Sequence, residues 1–161
     1  PRNEIFQVLT SNVDFTRIGR LMQAVLMLIY AVPVSGIIWS PDKVITIVVM
    51  IIGGIVMFSA LFVLYAGISF FTIEGLEFMN IFTDGGREFG KYPFSIYGEG
   101  VLKFFTYIIP LALFQYYPFL YLTGKSGNIG LIFLPLMGFV FMIPCYSIFK
   151  YGIKRYKSTG S

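Results

Sequence analysis

Four stretches of this chain contain no Asp, Glu, Lys or Arg: residues 21–41, 44–73, 104–124 and 126–149. At 1.5 Å of rise per helical residue, each is long enough to cross a hydrocarbon layer of roughly 30 Å. A soluble domain could bury such runs only under a polar surface. Here 57% of residues are hydrophobic and 12% charged, whereas soluble domains carry about a quarter charged residues. The bilayer is the solvent these runs fit. A spanning segment must satisfy its own backbone hydrogen bonds, and the runs lack the short alternation of barrel strands. The expected fold is therefore an all-α integral membrane protein with four transmembrane helices, near residues 16–38, 44–73, 102–122 and 129–149. None of the runs has the short core and flanks of a signal peptide.

The positive residues set an orientation. Arg2, Arg17 and Arg20 precede the first run, and Lys150, Lys154, Arg155 and Lys157 follow the last. Both ends, including a tail at 150–161, are expected in the cytoplasm, with the links at 40–43 and 123–128 outside. The loop at 74–101 then faces the cytoplasm. The net charge of +4 is accounted for by this bias and calls for no nucleic acid.

Before the first run, Ile5, Val8 and Leu9 form an apolar edge at helical spacing, with Glu4, Gln7 and Ser11 elsewhere. Residues 1–14 thus read as a short amphipathic helix on the cytoplasmic surface, with Asp14 placed to cap the helix that enters the membrane. In the second run Gly53, Ala60 and Gly67 recur every seven residues. Small side chains on one face let helices approach closely in a membrane, and packing is their default meaning.

The central loop holds most of the remaining charge. Glu74, Glu77, Asn80 and Asp84 are spaced three, three and four apart, which stacks them on one helical face. Carboxylates so placed could bind a metal or move protons if partners converged on them, and Glu88 is the only other acid nearby. A solvated face at the membrane surface is the simpler meaning. The Asp84-Gly85 pair resembles the motif of membrane-embedded phosphotransferases, but no Asp follows Asp84, and Gly85–Gly86 open no phosphate-binding loop. Gly85, Gly86 and Gly90 fit a tight turn, with Arg87 and Lys91 beside it and Pro93 ending any helix. The chain has no histidine and one cysteine, Cys145, which removes histidine chemistry and intrachain disulfides.

Four motifs occur in order: FQVLTSNVDFTRIGRL at 6–21, YPFSIY at 92–97, IIPLALFQYYP at 108–118 and GIKRYKSTGS at 152–161. Together they resemble the C-terminal part of a bacterial permease of the type-2, exporter-like class of ABC transporters, in its uncharacterised branch. The resemblance covers nearly the whole chain. It implies six spans with both ends cytoplasmic, of which the four here would be the third to sixth, since the chain opens at Pro1 inside a segment that in the family follows the second span. It implies a permease subunit of the bacterial cytoplasmic (inner) membrane, moving a substrate with ATP hydrolysed by a separate ATP-binding subunit. The permease would pair with a second one, identical or not. ATP and Mg would belong to the partner, and this chain would hold no cofactor, metal or catalytic residue.

The resemblance also recasts the amphipathic helix as a coupling helix. Phe6, Gln7 and Leu9 become candidates for contact with the ATPase, with Asp14, Arg17 and Arg20 at the hinge to the span. Glu74, Glu77, Asp84, Arg87 and Glu88 become candidates in a cytoplasmic loop that closes the inner mouth or touches the ATPase. The aromatic residues of the span at 102–122 suggest an apolar or amphipathic cargo. Two other classes compete: a small four-span structural or assembly protein, and a membrane-embedded metal-dependent enzyme using Glu74, Glu77 and Asp84.

Overall fold

The structure is a computed structural model that describes residues 15–72, 85–86, 92 and 94–155. It divides into two units, Pro1–Ile38 and Trp39–Ser161. The described residues form helices and turns, with no strand among them. Two helical stretches, Pro41–Ser69 and Ile129–Lys154, are long and apolar enough to cross a membrane, and a bent pair of helices between them makes a third candidate.

In the first unit, α1 covers Phe15–Val34. Pro33 sits in its last turn, and the chain leaves through Gly36 at φ +65°. Residues Ile18–Val34 form a shorter apolar stretch than the two long spans. The amphipathic helix expected at 1–14 lies outside the described residues.

In the second unit, α2 runs from Pro41 to Ser69, 29 residues, or about 43 Å at 1.5 Å per residue. Pro41 occupies its first turn behind an extended Ser40, a position where the missing N–H costs nothing. A 3₁₀ turn at Phe94–Tyr97 leads into α3, Glu99–Tyr107, and α4 follows at Leu111–Leu122. An eight-residue 3₁₀ segment, Ile129–Leu136, runs directly into α5, Met137–Arg155.

The packing of α2 on α5 inverts the rule for proteins in water. The buried positions include Thr46, Gly53, Ala60 and Gly67 on α2, seven residues apart, and Gly138, Cys145 and Gly152 on α5, also seven apart. The large side chains Ile45, Val48, Ile51, Ile55, Phe139, Val140 and Ile143 are exposed. Small residues inside and branched apolar residues outside is the arrangement that lipid rewards, because association there depends on close packing rather than on escape from water.

That packing also fixes direction. A Cβ on Gly138 would lie 3.4 Å from the Gly53 carbonyl oxygen, and one on Gly152 would lie 2.9 Å from that of Gly67. The two contacts advance along both helices together, so α2 and α5 are parallel. A repeat of seven on each is the spacing at which parallel helices stay in contact by gentle supercoiling.

Helix α4 runs the other way. Leu111 joins Met57 and Leu61 in the apolar core, Phe114 meets Phe58 edge-on at 6.1 Å, and Tyr121 hydrogen-bonds Asp42 at the start of α2. Two parallel helices require the chain between them to return to the level at which α2 begins, and α4 makes the part of that return from the level of Met57 and Leu61 to that of Asp42. The run at 102–122 is nevertheless not the single helix its apolar character suggests. It is α3 and α4, bent by 113° across Ile108–Pro110. Pro110, which has no N–H to continue the helical ladder, sits at the break.

The central loop corrects another expectation. Gly85 and Gly86 are helical, and the positive-φ glycines among the described residues are Gly36, Gly98 and Gly124. The pair is therefore not the left-handed tight turn that its glycines suggest. Gly86 is buried, and a Cβ there would come 3.0 Å from Leu111 Cδ1 and 3.9 Å from Phe58 Cε1. Phe58 lies eleven residues from the end of α2, about 16 Å along its axis. Gly86 therefore packs deep against α2 rather than beyond its end.

Candidate functional site

The feature of the second unit that regular helices do not explain is the elbow between α3 and α4. Helix α3 opens at Gly98, φ +83°, and its last turn closes with the N–H groups of Ile108 and Ile109 both directed at the Phe104 carbonyl. Pro110 offers no donor, and Leu111 N–H turns back to the Ile109 carbonyl at 2.5 Å. The carbonyls of Thr106 and Tyr107 thereby lose the partners a continuous helix would give them, the N–H groups of residues 110 and 111. Helix α4 then starts without a side-chain cap.

Side chains span the gap. The Thr106 hydroxyl donates to the Leu102 carbonyl at 2.7 Å and lies 3.1 Å from the Tyr117 hydroxyl. A threonine hydroxyl has one hydrogen, so in that pair Tyr117 is the donor. One turn further along α4, Tyr121 donates to Asp42 Oδ2 at 2.6 Å. Helix α4 ends in a Schellman motif: Lys125 N–H reaches the Leu120 carbonyl, Gly124 N–H reaches that of Tyr121, and Gly124 takes φ +73°.

Between the elbow and α5 lies a groove of about 450 Å³. Thr106, Tyr107, Pro110 and Leu113 form one wall, and Met137, Val140, Phe141 and Pro144 the other. The size is within the range of small-molecule sites. Its lining is apolar apart from the two hydroxyls, so it can hold an apolar group and orient a single polar one. Among the described residues that line it there is no carboxylate, amine, imidazole or thiol. Broken helices inside membrane proteins expose backbone polar groups where the chain lines a cavity, and the elbow is of that kind.

Phe6, Gln7, Leu9, Asp14, Glu74, Glu77, Asp84, Arg87 and Glu88 lie outside the described residues, and Arg17 is placed only as part of the α1 backbone. Arg20 is an exposed residue of α1. Among the described residues no three of His, Cys, Asp or Glu come together as a metal site. The sequence reading missed the elbow residues Thr106, Tyr117 and Tyr121. Pro110, inside the third run, was the available signal.

Compared with known proteins, residues 1–160 match the family model described as "ABC-2 family transporter protein". No curated protein and no solved structure matches.

Proposed function

The chain belongs to the ABC-2 transporter family, and we propose from that premise that it is a permease subunit that carries a substrate across the bacterial cytoplasmic membrane with a separate ATP-binding subunit. It is a multi-pass membrane protein and a transport component rather than a catalyst in its own right. The match along 160 residues is the observation that carries this reading. The small-inside, large-outside packing of α2 on α5 supports it independently.

In the finer reading, α1, α2, the α3–α4 pair and α5 are four crossings, with both ends of the chain in the cytoplasm. The parallel course of α2 and α5 supports the last three, because it needs one return crossing between them. Two such permeases pair, and each docks an ATPase through the helix at residues 1–14. Phe6, Gln7 and Leu9 lie in that contact, with Asp14 and Arg17 at its hinge. Glu74, Glu77, Asp84, Arg87 and Glu88 belong to the cytoplasmic loop. ATP and Mg are bound by the partner.

Affinity purification of the full-length protein from its host in mild detergent tests the reading. An ATP-binding subunit with a phosphate-binding loop is expected to copurify and to hydrolyse ATP. Phe6→Ala is expected to weaken that association by about 2 kcal/mol, as for a buried aromatic anchor. A preparation free of any such ATPase would contradict the proposal.

A further inference from the structure

The backbone leaves the angle between α3 and α4 open. Hydrogen bonding along the helix stops at the Phe104 carbonyl and does not resume until Leu113 N–H reaches the Pro110 carbonyl. The Tyr117 hydroxyl spans the break to Thr106, and the Tyr121 hydroxyl ties the far end of α4 to Asp42 at the start of α2. The two tyrosines are four residues apart and so share one face of α4. We propose that α4 is a pivoting element latched by Tyr117 and Tyr121, and that release of these hydroxyls changes the elbow angle and the width of the groove it borders.

Three observations converge on this. Thr106 belongs both to the Tyr117 pair and to the wall of the groove, so moving the latch moves the wall. The opposite wall stands on α5, whose Gly138 and Gly152 lie against the backbone of α2 at Gly53 and Gly67. The Tyr117 latch is a single hydrogen bond on the groove side of the elbow, and at the other latch Asp42 is shared between Tyr121 and Ser40. Such bonds in membrane proteins are weak enough to be exchanged, equivalent to roughly 3-fold to 20-fold in an equilibrium constant. Thr106 and Tyr117 act here as positioning residues. Their purpose rests on the permease reading, but the pivot itself can be measured without any transport assay.

The test uses the full-length protein in lipid nanodiscs, with Cys145→Ala and spin labels at Lys103→Cys on α3 and Lys125→Cys after α4, both exposed positions. The parent is expected to show one dominant interlabel distance. Tyr117→Phe and Thr106→Val remove the same bond, and each should raise a second distance population by about 3-fold to 20-fold relative to the parent. Thr106→Ser keeps both hydroxyl contacts and should match the parent. Tyr117→Phe with Tyr121→Phe should give the largest second population. Lower thermal stability with an unchanged distance distribution would make the hydroxyls structural only and overturn the proposal. A change in Tyr117→Phe that Thr106→Val does not share would show that the bond to Thr106 is not the latch and overturn it as well.

Discussion

Helices α2 and α5 meet backbone to backbone, whereas α3 and α4 meet through a gap bridged by side chains. In the first contact Gly53 and Gly67 lie under Pro135, Gly138, Phe149 and Gly152 with no room for a methyl group. In the second, the ladder breaks at a proline, and the pieces are held by the Tyr117 hydroxyl on Thr106 and by apolar contact among Phe105, Ile109, Leu111 and Ala112. Both occur in the same unit and in equally apolar sequence. The contrast shows how a chain without an aqueous core separates frame from moving part. Rigidity comes from removing side chains at a seven-residue repeat, and freedom comes from removing one backbone donor.

Substitutions that attack the frame should have the largest effect. A side chain at Gly53 meets Pro135, including its carbonyl oxygen at 2.8 Å, and backbone cannot step aside as a flexible side-chain tip can. Gly53→Val is expected to exceed the roughly 1–3 kcal/mol typical of an overpacked core. It should abolish the monodisperse peak in detergent size-exclusion chromatography, and a wild-type profile would break the frame half of the comparison.

Pro110→Ala attacks the elbow instead. It restores a backbone N–H at position 110, within reach of the Thr106 carbonyl in a continuous helix. The expected outcome is folded protein with a longer distance between labels at positions 103 and 125. An unchanged distance would mean that packing, not the missing donor, sets the bend. Gly86→Ala should do less. The methyl group would press on Leu111 Cδ1 at 3.0 Å, the mobile end of a side chain, so a small fall in melting temperature is expected. Glu99→Gln should do least, because the Glu99–Lys103 pair is 3.5 Å long with both side chains at least 70% exposed. Exposed pairs of this kind contribute little, and melting curves of variant and parent should coincide.

Much of the frame was legible in the sequence. Charge-free runs announce the apolar helices because charge is expensive in lipid at every depth of the core. The repeat of Gly53, Ala60 and Gly67 marks the buried face of α2. Its counterpart, Gly138, Cys145 and Gly152, has the same spacing and could have been paired with it. The elbow was harder to see, since an apolar run looks the same whether its helix is straight or broken, and proline is tolerated inside membrane helices. The hydroxyl contacts could not be read at all, because Tyr121 and Asp42 are brought together only by the antiparallel course of α4 against α2. The turn expected at Gly85–Gly86 failed for a related reason. Glycine pairs serve close packing as readily as they serve turns, and Gly86 lies against Leu111 and Phe58.

The central claim is that α2 and α5 cross the membrane in the same direction, joined by one broken return crossing. In a Cys145→Ala background, single cysteines at Lys43, Lys125 and Lys154 can be exposed to an impermeant maleimide in sealed cells. The account predicts labelling of Lys43→Cys and Lys125→Cys from outside, and of Lys154→Cys only after the membrane is opened. Labelling of Lys125→Cys and Lys154→Cys from the same side would show that α5 does not cross, and would contradict the account.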